Sequence, residues 1–145
     1  MKKIILLLWT LVLSACATGP EGGSSIQETN YSLNDIRTAI IGIAGDPREV
    51  SQNQREYKSQ YFSKKKEANF NPQISKERSY AHFFVLGERR PYEIKVIVYT
   101  ERKTKNEYKS LGEDKVWSKK IKEELESRLN HSRDGRNVID DFRPF

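Results

Sequence analysis

The spacing of apolar residues changes character along the chain, and each change marks an element. Residues 4–13 are apolar apart from Thr10 and show no period. Residues 17–30 turn polar and carry Gly19, Pro20, Gly22, Gly23, Ser24 and Ser25, the composition of a flexible tether. Leu33, Ile36, Ile40, Ile43 and Ala44 then recur at helical spacing and form one stripe. Ser32 and Asp35 have the spacing of a capping box, and Tyr31 with Ile36 suits a hydrophobic staple. Gly45 followed by Pro47 closes that helix.

The period then falls to two. Over residues 54–63, Tyr57, Ser59 and Tyr61 alternate with Glu56, Lys58 and Gln60, which predicts a half-buried strand with its tyrosines inward. Residues 78–86 and 92–100 flank Gly87-Glu88-Arg89-Arg90-Pro91 and predict a hairpin. An even-length turn would pair Val85 with Tyr92 and Phe83 with Ile94. Ala81, Phe83 and Val85 then share a buried face with Tyr92, Ile94, Val96 and Val98, while His82, Phe84, Glu93 and Lys95 take the other.

Residues 101–113 read as a charged connector that carries the last strand to about Lys103. Helical spacing returns over 114–130, with Trp117, Ile121, Leu125 and Leu129 on one side and Lys119, Lys120, Lys122, Glu123, Glu124 and Glu126 on the rest. In the tail, Val138, Ile139, Phe142 and Phe145 offer enough apolar surface to dock. The predicted fold is α+β: a small antiparallel three-stranded meander with two helices packed on one face, in the order α-β-β-β-α. It forms a single domain over residues 31–145.

Met1-Lys2-Lys3 puts positive charge ahead of the opening apolar run. The run is shorter than the roughly 20 residues a bilayer-spanning helix needs, so it has the form of an export signal. It ends in Leu13-Ser14-Ala15-Cys16, which resembles the lipobox of bacterial lipoproteins. That resemblance implies a signal peptide over 1–15, cleavage before Cys16, diacylglycerol on its thiol and an acylated new amino terminus. It makes residues 16–30 the lipidated cysteine and its tether. Ala17, where an aspartate would favour inner-membrane retention, implies the outer membrane of a Gram-negative host, with the domain facing the periplasm. Cys16 is the chain's single cysteine, so it has no intramolecular disulfide partner. Each buried methylene contributes about 0.8 kcal/mol and one acyl chain binds only marginally, so two or three on one residue make a lasting anchor.

The formal charge of +6 changes the picture little. Removal of Lys2 and Lys3 with the signal lowers it to about +4, too mild for a dedicated nucleic-acid binder. Candidate chemistry is sparse. The two histidines are His82 and His131. His131-Ser132-Arg133-Asp134 holds the residue types of a catalytic triad, but sequence neighbours cannot converge as a triad does. No nucleophile elbow, zinc-protease pair or phosphate loop occurs. Asp140-Asp141 falls far short of the about six to eight oxygens that calcium takes, and the histidines lack metal-ligand spacing. Neither a metal site nor a cofactor is expected beyond the covalent lipid.

The most plausible interaction surface is basic and aromatic. Arg55, Lys58, Lys64, Lys65 and Lys66 lie in or beside the tyrosine strand, Arg89 and Arg90 at the hairpin tip, and Arg102, Lys103, Lys105 and Lys109 after the last strand. Such groups suit anionic lipid headgroups, lipopolysaccharide phosphates or an acidic protein patch. The expectation is a non-enzymatic, membrane-anchored envelope module that serves an assembly or transport complex through a protein partner. Direct binding of anionic envelope components is the alternative, and a cell-wall-modifying enzyme the third reading.

Overall fold

The computed structural model describes residues 21–65, 68–105 and 107–134. The lipobox, Lys66, Asp140-Asp141 and the apolar tail therefore lie outside the described residues. The elements run β1 (Ser24–Thr29), α1 (Leu33–Ala44), β2 (Glu49–Val50), β3 (Glu56–Lys58), β4 (Glu77–Leu86), β5 (Tyr92–Lys103), β6 (Tyr108–Glu113) and α2 (Lys115–Asp134).

The predicted three-stranded meander is overturned: the sheet has six strands, all pairs antiparallel. Its order is β2-β3-β4-β5-β1, with β6 also on β5. β4 takes one edge of β5 from Glu93 to Arg102. β1 and β6 lie end to end along the other edge, Ser24 opposite Val96 and Glu113 opposite Tyr99. The three unexpected strands share a physical cause: each sits at the margin of the sheet and puts little side chain into the core. In β1, within the stretch read as tether, only Ile26 and Thr29 are buried. β2 has two residues, both exposed, and β6 keeps Lys109 to Gly112 exposed. Backbone pairing without inward side chains leaves no alternation to read.

The central hairpin forms with a corrected register. Val85 stands opposite Ile94 and Phe83 opposite Val96, two residues from the predicted pairing. Tyr92 has Thr29 of β1 as its partner instead. Because the side-chain period is two, this shift leaves the faces unchanged. Ala81, Phe83, Val85, Tyr92, Ile94, Val96 and Val98 join Ile36, Ala39 and Ile40 of α1 and Ile121, Leu125 and Leu129 of α2 in one core cluster.

The tyrosine strand is shorter than 54–63, and its phase slips. The Ser59 N–H donates to Ala81 O at 2.9 Å and the Phe62 N–H to Ser79 O at 2.8 Å, so one extra residue is accommodated opposite β4. Tyr57 and Ser59 stay buried, and Phe62 packs against Trp117 at 5.8 Å. Tyr61 turns to the helix-free face, edge-on to Tyr80 at 5.7 Å.

Both helices have the starts their sequences encode. Ser32 Oγ accepts from the Asp35 N–H at 3.2 Å, and Asp35 Oδ2 accepts from the Ser32 N–H at 3.1 Å. Gly45 closes α1 at φ 69°, its N–H donating to Ile41 O at 2.8 Å. Asp114 caps α2 by accepting from the Trp117 N–H at 3.1 Å.

Candidate functional site: a basic cleft at one end of the sheet

A cleft of about 650 Å³ opens where the start of β4 meets the end of β5. Its walls come from three stretches. The bulged segment after β3 supplies Phe62, Ser63, Lys64 and Lys65; the β4 approach supplies Ser75, Lys76, Glu77, Arg78 and Ser79; β5 supplies Arg102 and Lys103. Among the described residues its lining carries six cationic side chains and one carboxylate, Glu77.

The loop over 71–76 is tied in place to form one wall. Asn71 O accepts from the Ser75 N–H and hydroxyl at 3.0 and 2.7 Å. The Tyr108 hydroxyl donates to Ser75 O at 2.7 Å, and Lys103 Nζ donates to Gln73 O at 2.8 Å. Arg78 donates to Pro72 O at 3.2 Å. Its guanidinium lies between the rings of Tyr61 and Tyr108, 3.8 and 3.6 Å from their centroids. Such a doubly stacked cation is held rigidly.

Three of the six cations are neutralised locally. Lys64 sits 2.8 Å from Asp114, Arg78 2.7 Å from Glu101, and Arg102 2.7 Å from Glu77. The Lys64 ammonium holds the Asp114 carboxyl below its ordinary range, against some burial. The hydrogen bond from Arg102 does the same for Glu77. Lys65, Lys76 and Lys103 form no ion pair among the described residues, though Lys65 is close enough to Glu77 to help depress its pKa and Lys103 donates to Gln73 O. A concave surface lined this way concentrates positive potential and attracts anions. Serine hydroxyls at 63, 75 and 79 add neutral hydrogen-bonding groups along the same walls.

The residues picked from sequence divide between two ends of the sheet. Lys64, Lys65, Arg102 and Lys103 converge in the cleft. Arg55 belongs to the hairpin tip, where it donates to Gly87 O and, at 3.0 Å, to Glu88 O. Arg90 lies at the same tip and reaches Asn30 O at 3.3 Å; Arg89 is exposed there. Lys58 pairs with Glu49 at 2.6 Å, between the two ends. Lys105 and Lys109 are exposed and do not line the cleft. Lys76 and Arg78 complete the site without having been singled out. The signal that finds them is the hairpin register, which sets Arg78 opposite Glu101 and Glu77 opposite Arg102.

The histidines do not come together. His82 lies on the helix-free sheet face, stacked 3.9 Å from Phe84. His131 is on the exposed side of α2, its Nδ1 2.8 Å from Ser127 O. Among the described residues, no group of His, Cys, Asp or Glu could hold a metal ion. No protein-family model matches the chain, nor does any curated protein or solved structure.

Proposed function

We propose that this chain is a lipid-anchored envelope protein that works by binding, and that its folded head takes an anionic envelope component in the cleft between β4 and β5. One observation carries the reading: a concave site lined by six cationic side chains, of which Lys65, Lys76 and Lys103 form no ion pair among the described residues. Lipid phosphates and lipopolysaccharide phosphates are anions of the right kind for such a site. The anchor part rests on Leu13-Ser14-Ala15-Cys16 and its resemblance to the lipobox, and the outer membrane is the proposed location.

The test uses the mature chain carrying Cys16→Ser, so that the anchor does not dominate, with vesicles of phosphatidylglycerol or with lipopolysaccharide as probes. Binding is expected to fall more than about tenfold between about 50 and about 300 mM salt. A triple charge reversal, Lys65→Glu with Lys76→Glu and Lys103→Glu, is expected to abolish it. Binding indifferent to both salt and the triple reversal overturns the proposal.

The second reading is an accessory module with a protein partner in an assembly or transport complex. It is favoured by an apolar notch of about 320 Å³ where Ile43 and Ala44 of α1 approach Trp117 and Ile121 of α2 beside Phe62. Partner association that survives high salt and is lost in Trp117→Glu would select this reading over the first.

A further inference from the structure

We infer that the corner of the molecule formed by Leu111, Glu113 and Val116 is its bilayer-contacting face, with Leu111 and Val116 entering the headgroup layer of the membrane. The inference rests on the proposed acylation of Cys16 and adds the orientation in which the head is held.

The point where the chain joins the sheet is fixed. The Gly23 N–H donates to Glu113 Oε1 at 3.0 Å. Gly22 and Gly23 have φ of 82° and 88°, backbone that favours glycine. A Cβ on Gly23 would stand 2.9 Å from Val96 O, so main chain passes against main chain there. Glu113 thus clasps the segment that leads back to the proposed anchor.

Geometry then limits the pose. Seven peptide units separate Cys16 from Gly23, a reach of at most about 25 Å when fully extended. A domain of this size has a radius of gyration of about 13 Å, hence a diameter of about 35 Å. The link is shorter than the head is wide, so it excludes poses in which the side bearing Glu113 is turned fully away from the lipid.

That side is chemically suited to an interface. Leu111 is 53% exposed and Val116 77% exposed; they lie two residues before and three after Glu113. Lys109, Lys115 and Lys119 are exposed and near them in sequence, with Lys109 3.6 Å from Glu107 and Lys119 3.9 Å from Glu123 in pairs open to solvent. Apolar tips among lysines match a headgroup layer, where methyl groups enter the acyl boundary and ammonium groups meet lipid phosphates. The basic cleft also lies toward this end of β5, at Arg102 and Lys103. The hairpin tip with Arg89 is at the far end of β5, beyond Tyr92.

The test exploits the single native cysteine. When Cys16 is acylated, a cysteine placed at Leu111, Val116 or Arg89 carries the only thiol available to a fluorophore. Each full-length, acylated variant is reconstituted into phosphatidylglycerol-containing vesicles with quenchers on the acyl chains. All three sites are exposed, and an unchanged thermal melt verifies each fold. Labels at 111 and 116 are expected to be quenched at least about twofold more than the label at 89. Equal quenching at the three sites, or stronger quenching at 89, overturns the orientation while leaving the anchor intact. Failure of the proteins to sediment with vesicles overturns the anchor, and the orientation with it.

Discussion

His82 sits on the helix-free face with its side chain 14% exposed. Its Nε2 is buried without a hydrogen bond, because Glu56 Oε2 is 3.6 Å away, beyond bonding distance. Burial, followed by the charge of Lys58, pushes its pKa below the ordinary 6.5; Glu56 and Glu49 pull less strongly the other way. The folded state thus prefers neutral imidazole, and the unfolded chain takes up the proton first as pH falls. Stability from this group is complete above about pH 6.5 and declines as pH drops through that value toward the lowered one. The urea midpoint is expected to be lower at pH 5.5 than at pH 7.5, with His82→Phe flattening the difference. An unchanged slope in that variant would assign the acid sensitivity elsewhere. Asp114 acts in a separate, more acidic window. Its pKa is depressed by Lys64, so its contribution is present above its ordinary value of 3.8 and lost as pH falls through the depressed one. Lys64→Met should shrink the loss of stability measured across that window.

At the scale of elements, the helices and the central hairpin are held by different means from the marginal strands, and substitutions should separate them. Leu125 is fully buried in α2, and Leu125→Ala is expected to cost about 2–5 kcal/mol in chemical denaturation. Ser32→Ala removes the capping box of α1 and should cost about 1 kcal/mol. Gly23→Val sets a side chain against Val96 O; its expected signature is loss of amide protection in β1 while the β4–β5 pair stays protected in hydrogen exchange. Uniform loss across all strands would refute that division. The same division explains what the sequence could disclose. α1, α2, β4 and β5 put regularly spaced residues into one core, and that periodicity is visible without coordinates. β1, β2 and β6 are fastened mainly by main-chain bonds, whose carbonyls every residue supplies and whose N–H groups every residue but proline supplies, so their sequences carry almost no imprint. Tyr61 misled for a related reason: one additional residue before Phe62 reverses the alternation, and nothing in the local composition announces it.

At the scale of the whole molecule, the basic residues were visible as runs, but their grouping was not. Lys64-Lys65 and Arg102-Lys103 are far apart in sequence and meet because Phe62 pairs with Ser79 of β4 and β4 pairs with β5 with Glu77 opposite Arg102. A register two residues away would have set Arg78 across from Tyr99 and left Lys76 unremarked. The proposed anchor belongs to this scale too. Cys16→Ser is expected to move the protein from the membrane pellet to the soluble fraction; retention in the pellet counts against acylation. The pairing of β1 with β5 has a further consequence, for the order in which the fold can arise. Ser24 must wait for Val96, and α1, at twelve residues, is too short to persist in isolation. A polypeptide made from its amino end therefore has nothing to close upon until the last strands emerge, and loop closure over such a distance is slow. For most of its synthesis it stays slack, and any product cut short before Val96 leaves Ser24 of β1 with nothing to pair with.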